Sequence, residues 1–208
     1  MTRKVHFFTA ILLTFFGAAY LNAQSSLDVH IGVSGANAKS TGLLVDTFGD
    51  GTLYSSPSLD GAFMNLGAGF MLSPHFGVGG EFSFKPGKSD FAGLNYRPLF
   101  YDFNGILHPA PASTRVVPEI QAGIGGVNMR FYYPQSNCNV FAGCYSNNTY
   151  LQSSNHFQLH AGAGVKLFVK GNLYVEPNVD IHYVHNFFQF GTNWVPQYGV
   201  NFGYRFGD

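Results

Sequence analysis

Beyond an apolar N-terminal stretch, the chain repeats one pattern: short segments in which apolar residues alternate with polar residues or glycine. Leu27, Val29, Ile31 and Val33 enclose Asp28, His30, Gly32 and Ser34. Met64, Leu66, Ala68, Phe70 and Leu72 keep the same rhythm, as do Phe76, Val78, Phe82 and Phe84, and then Tyr101, Phe103 and Leu107. A fifth segment runs through Val116, Ile120, Ala122 and Ile124, and a sixth through the odd positions from Phe157 to Val169. The seventh carries Leu173, Val175, Val179, Ile181 and Tyr183, and the eighth Tyr198, Val200, Phe202, Tyr204 and Phe206. Period two places neighbours on opposite faces of a strand, so each segment predicts a strand with one apolar and one polar wall.

The connections alternate in length. Ser73-Pro74-His75 and Lys170-Gly171-Asn172 are tight turns, and His108 to Thr114 is a modest Pro-rich one. The other four, roughly 38–60, 86–93, 134–154 and 186–193, are longer on average and rich in Gly, Ser and Asn. Both termini fall on the short-turn side. Two features disturb the pattern. Pro98, Pro118, Pro177 and Pro196 lie inside strands, which predicts bulges near the rim. The outward phase of the fifth segment also slips after Gly125-Gly126, where Val127, Met129 and Phe131 take over, predicting a bulge there.

Arg3 and Lys4 followed by an apolar run from Phe7 to Tyr20, with Leu21-Asn22-Ala23 as the cleavage region, predict an export signal over 1–23 and a mature domain over 24–208. No Cys follows Ala23, so the pattern is not that of a lipoprotein. Charged residues are 11% of the chain and aromatics 17%, and the formal net charge is zero, which offers nothing to nucleic acid. So few charges suit a surface that faces lipid. No stretch after Ala23 is apolar for the length of a helical span. Hydrocarbon tolerates only helices and closed barrels, because every backbone polar group must be paired internally. The expected fold is therefore all-β: an eight-stranded antiparallel transmembrane up-and-down β-barrel in the outer membrane of a Gram-negative-type envelope.

In these features the chain resembles the small outer-membrane β-barrel family typified by OmpA-like and OmpX-like proteins, over essentially all of 24–208. The last strand carries the motif-like part: Gln197, then Gly199, then Phe202 and Tyr204, matching the family's polar–glycine–aromatic assembly signal. The chain departs by ending Phe206-Gly207-Asp208, where a terminal aromatic is usual. The resemblance implies short periplasmic turns, long extracellular loops and delivery by the barrel-assembly machinery through the C-terminal strand. It also implies a barrel without the peptidoglycan-binding domain of the larger OmpA-like proteins.

An eight-stranded barrel has room inside only for side chains. Asp28, Glu81, Asp102, Glu119, Glu176 and Asp180 face inward against Lys85, Lys166 and Arg205, which predicts a polar plug of ion pairs and water. Alternate inward glycines, such as Gly162 and Gly164, leave space for them. Asp28 and Arg205 are expected to meet where strands one and eight close the ring. The short turn after Val169 pairs residues whose numbers sum to 342, setting Lys166 opposite Glu176 and His160 opposite His182. His30, His160 and His182 face inward, but no ligand spacing completes a metal site, and no cofactor is expected. The sequence Asp46-Thr47-Phe48-Gly49-Asp50-Gly51 reads as a turn and not a calcium loop.

Cys138 and Cys144, the only cysteines, predict a disulfide in the third long loop of an exported chain. Function is expected to be non-catalytic: envelope integrity or adhesion, with loops 38–60 and 134–154 meeting a surface partner and the wall meeting outer-membrane lipid. A narrow channel or small-ligand carrier is the alternative. The chain is less similar to the lipid-modifying barrel enzymes, whose family carries His-x-Ser-Asn. Here His182 is followed by Val184 and His185 by Phe187, so the nucleophile is missing, and Ser153 and Ser154 are the nearest hydroxyls.

Overall fold

The computed structural model describes residues 25–46, 49–110, 115–139, 143–187 and 190–207. The expected export segment 1–23 lies outside them. Among these residues eleven strands form: β1 (Ser26–Ala36), β2 (Leu44–Val45), β3 (Tyr54–Ser55), β4 (Gly61–Met71), β5 (Phe76–Phe84), β6 (Ser89–Phe91), β7 (Leu94–Leu107), β8 (Val116–Asn139), β9 (Gly143–Lys170), β10 (Leu173–Val184) and β11 (Trp194–Phe206). Eight of them make a closed antiparallel ring in the order β1, β4, β5, β7, β8, β9, β10, β11, and β11 returns to β1. The remaining three are short: β2 and β3 form a small hairpin, and β6 pairs with the start of β7. No helix among the described residues is long and apolar enough to cross a membrane.

Side-chain parity follows the sequence pattern. On β1 the burial alternates strictly between exposed Leu27, Ile31 and Val33 and interior Asp28 and Ser34. Exposed apolar residues cover the outer wall from Phe76 and Phe82 through Ile120 to Phe202. Aromatic pairs sit near both rims, Tyr183 against Trp194 at the long-loop end and Tyr204 against Phe206 at the short-turn end. This is the apolar band with aromatic girdles that a lipid-facing barrel requires.

Three expectations about register need correction. The prolines sit in continuous pairings, such as Pro98↔Met129, Pro118↔Val165 and Pro177↔Val200, with no bulge at any of them. An antiparallel residue bonds to only one of its two neighbours, so a proline deletes bonding on one side and leaves the other ladder intact. The fifth segment does not slip either. Pairing of β8 with β9 is unbroken from Val116↔Leu167 to Phe131↔Gln152, and the irregularity comes only between Phe131 and Tyr132. Val127, Met129 and Phe131 therefore stay on the inner wall and are buried. They are apolar because the upper interior is apolar. Lastly, the turn after β9 has two central residues, with Gly171 at φ 55 as a tight hairpin demands, and a bulge follows at Leu173/Tyr174. The bulge returns the pairing to Tyr174↔Phe168 and His182↔His160, the register expected from the sequence.

The third long connection is mostly strand. β8 and β9 continue past the rim as a two-stranded arm, paired from Tyr132↔Tyr150 to Asn139↔Gly143, roughly 25 Å at strand rise.

A ring with every strand paired on both sides resists detergent. Unboiled protein is expected to migrate differently from boiled protein on electrophoresis and to give a β-type circular dichroism spectrum. Identical mobility together with a helical spectrum would contradict the fold.

Candidate functional site

The lumen is built in tiers. At the short-turn end, Asp28 on β1 sits directly across from Arg205 on β11. Arg205 donates from Nε to Asp28 Oδ1 at 2.7 Å and from Nη2 to Oδ2 at 2.8 Å. The seam therefore carries the expected contact, and it is bidentate, the strong form of this pair. Lys166, on β9 and 2% exposed, donates to Asp28 Oδ2 at 2.7 Å and Glu119 Oε2 at 2.5 Å. Its ammonium also lies 5.2 Å from the Tyr174 ring centre, and the Arg205 guanidinium lies 4.8 Å from that of Phe168. Glu176 is buried across from Lys166, as the register implies, but the ammonium bonds to Asp28 and Glu119 instead. A long side chain reaches across the lumen more easily than it folds back onto its own neighbour. The Glu176 carboxylate occupies the space over Gly164, where a Cβ would stand 2.7 Å from Oε1.

Sequence reading missed His108, which is fully buried and places Nε2 2.6 Å from Glu119 Oε2. Its parity continues Asp102, Asn104 and Ile106, but Pro109 marks the position as turn. Internal space beside these groups amounts to about 10 Å³ and is lined by Asp28, Glu81, Glu119 and Lys166 among others. That is room for roughly one water.

At mid-height, His30 Nε2 meets Glu81 Oε2 at 3.2 Å. His160 places Nδ1 3.0 Å from Asn104 Oδ1 and Nε2 3.2 Å from Asp180 Oδ1. Asp102 accepts from Asn104 Nδ2 at 2.6 Å and lies 3.8 Å from His160 Nδ1. His182 stacks on His160 with ring centres 4.8 Å apart and has Phe100 at 4.9 Å on another side. Asp102 on β7 joins two histidines here although all of β8 separates it from both in sequence. The lack of ligand spacing therefore said nothing about proximity.

Above this tier come a neutral polar belt and then an apolar plug. Ser34 Oγ and Ser83 Oγ lie 3.0 and 3.1 Å from Gln197 Oε1. Over them Phe63, Phe100, Val127, Met129, Val184, Phe187, Phe190 and Val195 form one buried cluster. Phe187 and Phe190 come from the connection between β10 and β11 and fold inward, stacked at 4.4 Å. Lys85 stands at this mouth, where its ammonium donates to the Asp60 carbonyl at 2.7 Å and Ser89 Oγ at 2.6 Å. Burial lowers its pKa from the ordinary lysine value, against the opposing pull of Asp60.

In the arm, Cys138 and Cys144 face each other across the strands with sulfurs 2.08 Å apart. Asn95 Nδ2 donates to Asn148 Oδ1 at 2.7 Å, and Lys88 caps the Tyr132 ring at 4.4 Å, holding the arm's base. In the first long loop the Asp46 carboxylate accepts from the backbone N–H groups of Gly49, Asp50 and Gly51, which uses it as a turn cap. Ser154 Oγ lies 3.2 Å from His156 Nε2, but the two are neighbours on one strand face, and among the described residues no carboxylate bonds to His156.

The Lys166 cluster yields a measurable coupling. Lys166→Met leaves Glu119 with His108 alone and Asp28 with Arg205 alone, and is expected to cost about 3–5 kcal/mol in urea unfolding. Adding Glu119→Gln should recover part of that loss, and adding Glu176→Gln should recover less. Strictly additive double mutants would contradict the assigned partners.

Residues 8–206 match the outer membrane protein beta-barrel domain family. No curated protein sequence matches the chain. Among solved structures, the attachment invasion locus protein Ail of Yersinia pestis, in complex with the heparin analogue sucrose octasulfate, is 15% identical with a TM-score of 0.52, covering 88% of this chain and 99% of that one. Neisserial surface protein A is 12% identical with a TM-score of 0.54, covering 88% and 98%. The outer membrane protein OprG of Pseudomonas aeruginosa is 12% identical with a TM-score of 0.53, covering 89% and 97%. At such identities the likeness is one of fold. With nearly its whole length matched and eight strands closed into a ring, the chain belongs to the outer membrane protein β-barrel domain family.

Proposed function

We propose that this barrel is a non-catalytic surface protein, exported by its N-terminal segment and assembled through β11, that works by presenting the β8–β9 arm to a partner outside the cell. The observation that carries this reading is the pairing of a closed interior with a projecting, stapled arm. The apolar cluster from Phe63 to Val195 fills the long-loop half of the lumen, and ion pairs fill the other half, which argues against a hydrated channel. Among the described residues the Ser154–His156 contact has no carboxylate behind it to orient a catalytic base, which argues against a hydrolase.

The arm's composition indicates the kind of partner. Residues 131–152 contain no Asp, Glu, Lys, Arg or His, but four tyrosines and four asparagines. Tyr133 and Tyr150 are more than half exposed. Tyrosine and asparagine give large, rigid contact area with adaptable hydrogen bonding, as binding loops of antibodies do. A polyanion such as the heparin analogue bound by Ail needs basic clusters, and this arm has none. The partner fitted here is a neutral polypeptide or glycan surface. A disulfide between Cys138 and Cys144 keeps the tip from fraying.

Two measurements test the proposal. Replacing 134–150 by a short hairpin turn is expected to leave the barrel heat-modifiable while reducing attachment of expressing cells at least tenfold. Planar-bilayer recordings of the intact barrel are expected to show no sustained openings. Undiminished attachment, or steady discrete conductance, would contradict it. Separately, Cys138 and Cys144 in protein taken from the envelope should resist alkylation until reductant is added, and full labelling without reductant would show free thiols.

A further inference from the structure

The charges of the lumen are not evenly matched. At the short-turn end, Lys166 is committed to Asp28 and Glu119, and Arg205 to Asp28. At mid-height stand Glu81, Asp102 and Asp180, and among the described residues none of these pairs with a lysine or arginine. Their ion-pair partners are histidines alone, and the amides of Asn104, Gln121 and Asn178 add only neutral hydrogen bonds. A carboxylate held in a narrow, nearly dry interior needs a cation beside it or must stay protonated.

One further observation points to where a cation fits. Asp102, His160 and His182 each bring one ligand-type atom to within 4.8 Å of the others. His182 is 3% exposed, yet its Nδ1 has no hydrogen-bond partner. An unpaired buried imidazole nitrogen beside a carboxylate is costly unless something binds it. The second such cluster, Asp28, His108 and Glu119, already surrounds a cation, the Lys166 ammonium. Among the described residues no amine is ion-paired to the first.

We propose that Asp102, His160 and His182 bind one divalent transition-metal ion of the zinc type inside the barrel, through one carboxylate oxygen and two imidazole nitrogens. Imidazole donors select zinc, cobalt, nickel or copper over calcium and magnesium, which take oxygen ligands. The surroundings match what such a centre requires. His160 meets the metal from Nδ1 and keeps Nε2 on Asp180, 3.2 Å away, the carboxylate-to-histidine support common around bound metals. Asn104 Nδ2 fixes the Asp102 carboxylate at 2.6 Å. Phe100 against His182 and the apolar plug above exclude competing water. The His160 and His182 rings are stacked at 23°, so binding requires the His182 ring to swing out of the stack to bring donor atoms as much as 4.8 Å apart to ligand spacing, and Asn104 Oδ1 yields its place on His160. The ion is held as the ring closes and contributes to barrel stability.

The test uses the full barrel folded in detergent, with heat-modifiability as the proof of folding, and Co²⁺ alone as the probe. Folding in the presence of Co²⁺ is expected to leave about one ion per chain after dialysis, with visible absorption bands that Zn²⁺ abolishes. His182→Gln and Asp102→Asn should each weaken retention at least tenfold while the barrel still folds, and the exposed His75→Gln should not. If one triad variant fails to fold, the other decides the matter. Folded wild-type barrel that retains no Co²⁺ would overturn the proposal. So would retention that survives both triad substitutions, because the ion would then sit on exposed histidines such as His75 or His185.

Discussion

A backbone in hydrocarbon has nowhere to leave an unpaired N–H, so closing the strands into a ring is the constraint on which the rest of this structure depends. Seven of the eight closures are set by connections along the chain. The eighth, β1 against β11, joins segments far apart in sequence. Side chains mark the register there. Asp28 and Arg205 stand directly opposite and bond through two pairs of atoms, and a one-residue slip would turn one of the two toward lipid and strand the other inside. Lys166 adds a strut across the lumen, tying the Asp28 side of the ring to Glu119 on β8.

Alternation then divides the molecule a second way, by height. The short-turn half of the interior is charged and the long-loop half is apolar. Phe187 and Phe190 descend from a connecting segment to complete the upper half, packing over Phe100 and Met129. This division decides what the barrel is fit for. A hydrated path would have to cross both an ion-pair plug and a hydrocarbon-like one. The outward resources of the chain are instead placed beyond the rim, in an arm whose strands extend those of the wall and so start from a rigid base.

Much of this was legible because period two is a strong signal when one wall faces lipid. The eight ring strands and the inward positions of Asp28 and Arg205 follow from parity, and the His160↔His182 register from parity together with the short turn after β9. What failed had physical causes. Val127, Met129 and Phe131 look like lipid-facing residues because an apolar side chain suits either the membrane or a buried plug, and only pairing distinguishes them. The arm reads as loop because it is rich in Asn and carries Pro134 at its start, and a stapled ribbon outside the membrane needs no apolar face. His108 was hidden by the proline after it. The partners of Lys166 were unreachable from sequence, since a four-carbon side chain in a narrow lumen selects among all eight strands.

The closed, two-tier interior is the central claim, and solvent access just beneath the apolar plug tests it most directly. Ser83 is buried there on the polar belt. In a chain carrying Cys138→Ser and Cys144→Ser, Ser83→Cys provides a single thiol of nearly the same size. A small water-soluble maleimide added to the folded barrel is predicted to leave that thiol unmodified for hours and to label it at once after boiling. Rapid labelling of the folded barrel would show an open, hydrated lumen and contradict the account.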